Sequence, residues 1–376
     1  MKIGIITHYN VHNHGALLQL YALKSVLEKG NNDVSALTFK KNFDFMESGI
    51  DKKYDISIKS LFWYLSYIRK IGLKRTFFNI RKKNILDNFK RSLIGEYYSR
   101  AKNLDAVFIG SDEVFSIEAG VNPFFFGIGV PCSNIYTYAA CCGPTNIQII
   151  RQKHMEQLIK AGLEDIKKIS VRDKNTFDIV SSLTDKDIGV VCDPVILYGY
   201  ADEIEKAERK IKEDYLLIYA YDNNMNEREE TEKIKAFARK NNLKIVSAGF
   251  YHKWCDKCVD GDPLKILGYF KYAEYVITDT FHGSVMSLIT NSDFATKIRG
   301  NKNKLYDLLD RFNLSDRIIE NFDTLNCVFE NKIKYDDINK YILDFRNKSM
   351  FYLQDCLSNS KKYSNWRNKK SITHFL

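Results

Sequence analysis

No run of this 376-residue sequence stays apolar for the roughly 20 positions that a membrane-spanning helix needs. The most apolar candidate, residues 61–68, is far too short. The opening stretch Met1-Lys-Ile-Gly-Ile-Ile-Thr7 enters a strand-like run at once, without the longer apolar core and small-residue cleavage site of a secretory leader. These absences predict a cytoplasmic chain, in which the eight cysteines are reduced thiols. Paired CxxC motifs are missing too: the cysteines lie at 132, 141, 142, 192, 255, 258, 327 and 356, and only Cys255-Asp-Lys-Cys258 has ligand-like spacing. His252 could be a third ligand, but a closed zinc site needs four, so this stretch reads as a reduced, exposed loop and no metal is expected. There is no GxGxxG, no internal repeat, no low-complexity tract and no recognised nucleic-acid motif. The ordinary dinucleotide fingerprint, a solenoid and a nucleic-acid partner are therefore not expected.

The composition, 45% apolar and 13% aromatic, suits packed cores rather than disorder. The length exceeds one ordinary core, so two domains are expected. The net charge of +10 is concentrated: residues 59–103 hold twelve Lys or Arg against Asp87 and Glu96, and residues 357–376 add five bases and no acid. A basic, aromatic-rich segment such as 61–75 suits an amphipathic helix with a solvated basic face. The alternative reading is peripheral contact with the inner face of an anionic membrane.

Along the chain, Lys2 to Thr7 reads as a strand, and Leu17, Leu20, Leu23 and Leu27 recur at helical spacing before Gly30, a candidate helix cap. Val34 to Phe39 reads as a second strand. This βαβ opening predicts a parallel sheet with right-handed crossovers. Residues of about 40–103 read as a basic, mainly helical insertion. Strand and turn are expected over 104–112, with further strands at 134–138, 168–171 and 188–192, then at 215–221, 244–248, 275–278 and 294–298. The predicted division is a first α/β domain over 1–190, a second over 191–325, and a C-terminal helix with a basic tail over 326–376.

In such sheets ligands bind at the carboxyl ends of the strands, and residues placed there are the site candidates. Tyr275 to Thr278 leads through Asp279-Thr-Phe-His-Gly283 into an apolar helix-like run, which puts His282 beside a helix N-terminus that can receive an anion. Histidine changes charge near neutral pH, so His282 could bind phosphate, donate a proton, or do both. Asn13, His14 and Gly15 occupy the equivalent loop after the first strand. Ser111 and Asp112 fall at the carboxyl end of the strand read within 104–112. Arg172, after the strand at 168–171, has the planar fork that binds two anionic oxygens at once.

Taken together, Asn13-His-Gly-Ala-Leu-Leu-Gln-Leu-Tyr-Ala-Leu23, Gly110-Ser-Asp112, Ser170-Val-Arg-Asp173, Asp193-Pro-Val-Ile-Leu197 and Thr278-Asp-Thr-Phe-His-Gly283 resemble, in order, the motifs of the polysaccharide pyruvyl transferase family. The resemblance implies two Rossmann-like domains facing across a cleft, as in GT-B enzymes. It also implies transfer of pyruvate from phosphoenolpyruvate to two hydroxyls of a sugar or lipid-linked oligosaccharide, giving a cyclic ketal, with no cofactor. On that reading His282 is phosphate ligand and general acid, and Arg172 clamps the donor anion. Asp112 or Asp279 serves as base or hydroxyl acceptor, and Asn13 and Gly15 line the acceptor side. Ser111, Thr280, Gly283 and Ser284 complete the binding loops. Glu113 and Phe115 stand where the family usually has Gln and Trp, Cys141 and Cys142 where it has Ser and Phe, and Thr280 where Ser is usual; these departures bear on the acceptor. Two other readings share the architecture: a glycosyltransferase using a nucleotide sugar, and a non-catalytic adaptor at a membrane surface.

Overall fold

The computed structural model describes residues 1–39, 69, 71–118, 121–300 and 302–372. Residues 61–68, the aromatic part of the basic segment, lie outside the described residues.

The first sheet is built from β1 (Lys2–Ile6), β2 (Asp33–Thr38), β3 (Ile94–Tyr97), β4 (Ala106–Ile109) and β5 (Ile135–Thr137), in the order β3-β2-β1-β4-β5. Two more strands, β6 (Ile169–Val171) and β7 (Ile188–Val190), pair with each other. They continue the first sheet through parallel bridges from Tyr136 to Lys168 and from Ala140 to Val171. The second sheet runs β10-β9-β8-β11-β12-β13, formed by β8 (Tyr215–Tyr219), β9 (Lys244–Ala248), β10 (Lys257–Val259), β11 (Tyr275–Thr278), β12 (Phe294–Lys297) and β13 (Ile318–Ile319). Each named strand pairing is parallel.

Parallel strands covered by helices on both faces are apolar on both faces, and the alternation along each strand shows it. Ile3 and Ile5 enter one core cluster while Ile6 enters another. Tyr215, Leu217 and Tyr219 join the former, and Leu216 and Ile218 a third cluster. The first of these clusters is common to both halves, since it contains Ile5, Leu20, Val195, Tyr219 and Val285. The helix His14–Glu28 packs on the helix Pro194–Tyr198, and the Tyr200 hydroxyl donates to the Leu18 carbonyl at 2.6 Å. The helix Tyr335–Ile372 then returns to the first half, where the Tyr352 hydroxyl donates to Thr137 O at 2.9 Å and Ser349 Oγ accepts from Cys192 N at 2.9 Å.

The structure departs from the sequence expectations in four places. The segment expected to stay helical to about residue 103 instead ends the helix at Leu73–Arg91 and places Ile94–Tyr97 on the sheet edge. Four residues at an edge are too few for a period-two signal. The short strands β10 and β13 were hidden for the same reason. Gly30 does not supply a left-handed cap: the helix closes on Lys29, and Asn31 takes the positive φ of 55°. The basic tail expected after the last helix is itself helical as far as Ile372.

Candidate functional site

Strand order reverses between β1 and β4 in the first sheet and between β8 and β11 in the second. Loops leaving the carboxyl ends of strands at such a reversal diverge and leave a crevice. The residues after β1, β4 and β11 therefore meet there.

His282 lies in the first turn of the helix Phe281–Ile289, whose N-cap is Thr280. The helix His14–Glu28 is capped by Asn13, whose Oδ1 accepts from Gly15 N at 2.8 Å and Ala16 N at 3.5 Å. The two helix N-termini touch. A Cβ on Gly15 would fall 2.2 Å from His282 Cγ and 2.3 Å from its Nδ1, so only glycine admits the histidine ring. His282 is 8% exposed, and its Nε2 has no hydrogen-bond partner among the described residues. Burial pushes the imidazole pKa below its ordinary value; Asp193 and Asp112 oppose that shift, and Arg172 and Lys304 add to it.

Arg172 follows β6 and is 4% exposed. Its Nη1 donates to Asp193 Oδ2 at 2.9 Å, and its guanidinium lies 4.2 Å from the centre of the Phe281 ring. Its Nε and Nη2 are buried without partners among the described residues. Asp193 is the anchor of this arrangement: Oδ1 caps the helix Pro194–Tyr198 through Val195 N at 2.9 Å, and Oδ2 also accepts from Gln19 Nε2. One side of the guanidinium is thus fixed while Nε and Nη2 have no acceptor among the described residues.

Asp112 has left-handed backbone, φ 69°, which aspartate tolerates better than most residues. Burial alone would raise its pKa, but Lys304, His282, Arg172 and His8 together hold it down at about 2. Lys304 comes from the second domain, and its Nζ pairs with Glu113 Oε1 of the first at 2.6 Å. Burial would lower the Lys304 pKa, but Asp112 and Glu113 outweigh it and keep the ammonium charged. The described site is therefore a desolvated cluster: two cations, each paired to a carboxylate (Arg172 to Asp193, Lys304 to Glu113), a third carboxylate, Asp112, held ionised, and a histidine whose pKa lies below normal.

The other sequence candidates occupy different positions. The Ser111 hydroxyl donates to Ala139 O at 2.8 Å and accepts from Gln19 at 3.3 Å. Thr280 Oγ1 accepts from Gly283 N at 2.9 Å, and Thr280 O accepts from Ser284 N at 3.2 Å, so both amides serve the cap. The Ser284 hydroxyl lies 2.9 Å from that of Thr296. A Cβ on Gly283 would be 2.0 Å from Thr278 Oγ1, so this glycine allows the helix to start against its own strand. Asp279 accepts from Tyr221 N at 3.3 Å and Asn224 Nδ2 at 2.6 Å, and lies 3.5 Å from Arg299 Nε. Burial raises its pKa to about 6 against those contacts. Burial raises the Tyr221 pKa; Asp112, Asp279 and Glu113 add to that shift and Lys304 opposes it.

Sequence reasoning did not single out Lys304, Gln19 or Asp193 as site residues. Gln19 carried a signal, a polar side chain inside an apolar helical run. Glu113 carried another, because an acid in a cleft calls for a cation. The Lys304 contact spans 191 residues and left no local trace. Both ring nitrogens of His252 are engaged, by Ser247 Oγ at 3.0 Å and Asn224 O at 3.2 Å, and Cys258 donates to His252 O. Cys255 and Cys258 are partly buried rather than exposed. Among the described residues no group of three or more His, Cys, Asp or Glu is arranged to hold a metal.

The fold and crevice define a two-domain α/β protein of the GT-B kind. The UDP-N-acetylglucosamine 2-epimerase of Rickettsia bellii superposes with a TM-score of 0.53 at 11% identity, covering 97% of this chain and 98% of that one. The Methanocaldococcus jannaschii UDP-GlcNAc 2-epimerase, solved with UDP-GlcNAc and UDP, gives 0.51 at 14% identity over 96% and 100%. At such identity the likeness is one of fold. No curated protein sequence matches the chain. Residues 13–291 match the model of the polysaccharide pyruvyl transferases, and the chain belongs to that family.

Two substitutions test this geometry. Gly15→Ala is expected to cost about 1–3 kcal/mol through overpacking and to shift the His282 ring resonances; an unchanged melting curve and spectrum would remove the close approach. Asp193→Ala strands a buried guanidinium and is expected to cost about 3–5 kcal/mol in denaturant unfolding, with Asp193→Asn costing less.

Proposed function

We propose that this protein transfers pyruvate from phosphoenolpyruvate to two hydroxyls of a sugar, forming a cyclic ketal in the building of a surface polysaccharide. The observation that carries the reading is the set of buried nitrogens without partners among the described residues, Arg172 Nε and Nη2 and His282 Nε2, with Lys304 lying like Arg172 over the Phe281 ring. Buried polar groups are nearly always satisfied, and donors of this kind suit a small ligand carrying both carboxylate and phosphate. An adaptor would have no use for them.

Arg172 and Lys304 would hold the donor's anionic groups. His282 enters with its pKa depressed and takes up a proton as the donor's negative charge arrives. It then delivers that proton to the methylene carbon, making C2 electrophilic. One sugar hydroxyl attacks C2, phosphate leaves, and the second hydroxyl closes the ketal. Overall, one hydroxyl proton converts the methylene to methyl and the other departs on hydrogen phosphate. Asp112, ionised and beside His282, is suited to accept a hydrogen bond from the attacking hydroxyl. With a pKa near 2 it is a weak proton acceptor, so neutral His282 is the better relay for the proton. Asp279 is committed to Tyr221, Asn224 and Arg299 and takes the lesser part.

Phosphate release from phosphoenolpyruvate that depends on a sugar diol is the expected result. Release of nucleotide from a nucleotide sugar, with phosphoenolpyruvate inert, would instead make the protein a glycosyltransferase. Arg172→Ala, His282→Ala and Lys304→Ala are each expected to lower turnover by about 100-fold or more; full activity in any of them breaks its assigned role.

The depressed His282 pKa also sets a pH dependence. The free protein holds this imidazole neutral at neutral pH, and bound phosphate raises its pKa, so binding takes up a proton. Phosphoenolpyruvate affinity should fall by up to about tenfold per pH unit as pH rises from the depressed pKa of the free protein to the higher pKa of the complex, and level off beyond it. Calorimetry in buffers of different ionisation enthalpy measures the uptake directly, and His282→Gln should abolish it.

A further inference from the structure

The helix Leu73–Arg91 carries an apolar stripe that nothing in the described structure covers. Leu73 is 76% exposed, Phe77 69% and Ile80 55%. Their spacing of four and three residues puts them on one face. The opposite face is fastened down: Phe78 and Leu86 are buried, and Lys82 lies over the Phe250 ring at 4.2 Å. Arg81 pairs with Asp260 and Arg75 with Asp222 of the second domain, while Asp87 meets His12 and Lys90 meets Asn10 of the first. The stripe therefore sits on a helix braced against both domains, and its exposure belongs to a fixed surface.

The charges beside the stripe decide its occupant. Lys74 and Arg81 border one edge and Lys83 the other, and Arg91 continues the line toward the helix end; all four are exposed, with Arg81 reaching back to Asp260 and Lys83 along the helix to Asp87. Between residues 73 and 91 the only acid is Asp87, against seven Lys or Arg. A second copy of this chain would bring an equally cationic stripe against the first and be repelled. No helix among the described residues is long and apolar enough to cross a membrane. We propose that this face docks on an anionic lipid bilayer, with Leu73, Phe77 and Ile80 at the boundary of headgroups and acyl chains and the flanking bases on the phosphates. The inference stands apart from the reaction proposed above, since it uses none of the crevice residues.

Flotation of the full chain with phosphatidylcholine vesicles, with and without phosphatidylglycerol, tests it. Binding is expected only to vesicles containing phosphatidylglycerol, weakening as salt is raised. Replacing Leu73, Phe77 and Ile80 together by Ser should reduce the bound fraction about tenfold or more, as should Lys74→Glu with Lys83→Glu. The unchanged melting temperature expected for exposed positions controls for folding. Failure to float with phosphatidylglycerol at low salt overturns the proposal. So does equal binding to phosphatidylcholine alone, equal binding by the serine variant, or self-association through the stripe without vesicle binding.

Discussion

The buried ion pair between Arg172 and Asp193 is the contact on which the site depends. Arg172 ends a strand of the first sheet, and Asp193 opens the helix that leads toward the second domain. Removing two charges from water is costly unless they are paired and hydrogen-bonded. Asp193 meets that cost through Arg172, Gln19 and the Val195 amide at once. The pairing uses one nitrogen of a five-donor fork and aims the remainder. An arginine held this way needs no rearrangement to receive an anion, which is the condition for strong electrostatic binding.

The same desolvation sets the protonation states around it. Asp112 stays ionised because four cationic or titratable groups face it, and Lys304 stays charged because Asp112 and Glu113 do. His282 has no such surplus of negative charge, and burial prevails over its two carboxylate neighbours. A site with fixed charges and one adjustable proton suits a reaction that must both bind an anion and move a proton. The contact of Gly15 with His282 makes the arrangement a property of both domains, because the ring is seated by a loop it does not belong to.

Much of the fold was legible along the chain. Strands at 2–7, 244–248 and 275–278 are compact β-branched runs, and the βαβ opening predicted the parallel sheet that formed. The strands that escaped, Ile94–Tyr97, Lys257–Val259 and Ile318–Ile319, are short, and all but β13 carry mixed polar and apolar residues at a sheet edge. Their conformation is imposed by a neighbour's hydrogen bonds rather than by their own pattern. His282, Arg172 and Asp112 were legible as polar residues at predicted strand ends, where a parallel sheet opens its crevice. Thr280, Gly283 and Ser284 were visible on the same grounds, and the cap occupies the amides of the last two.

By itself the sequence determined the two α/β halves, the parallel order that follows from βαβ connections, and the concentration of polar residues at strand ends. Periodicity and turn chemistry are local, and they act over the few residues in which each element forms. Only the tertiary structure decided that Lys304 faces Asp112 and Glu113, that Gln19 and Asp193 hold Arg172, and that Gly15 seats His282. Those contacts join residues far apart in the chain. Their strength comes from exclusion of water between packed domains, a condition that no stretch of sequence creates alone.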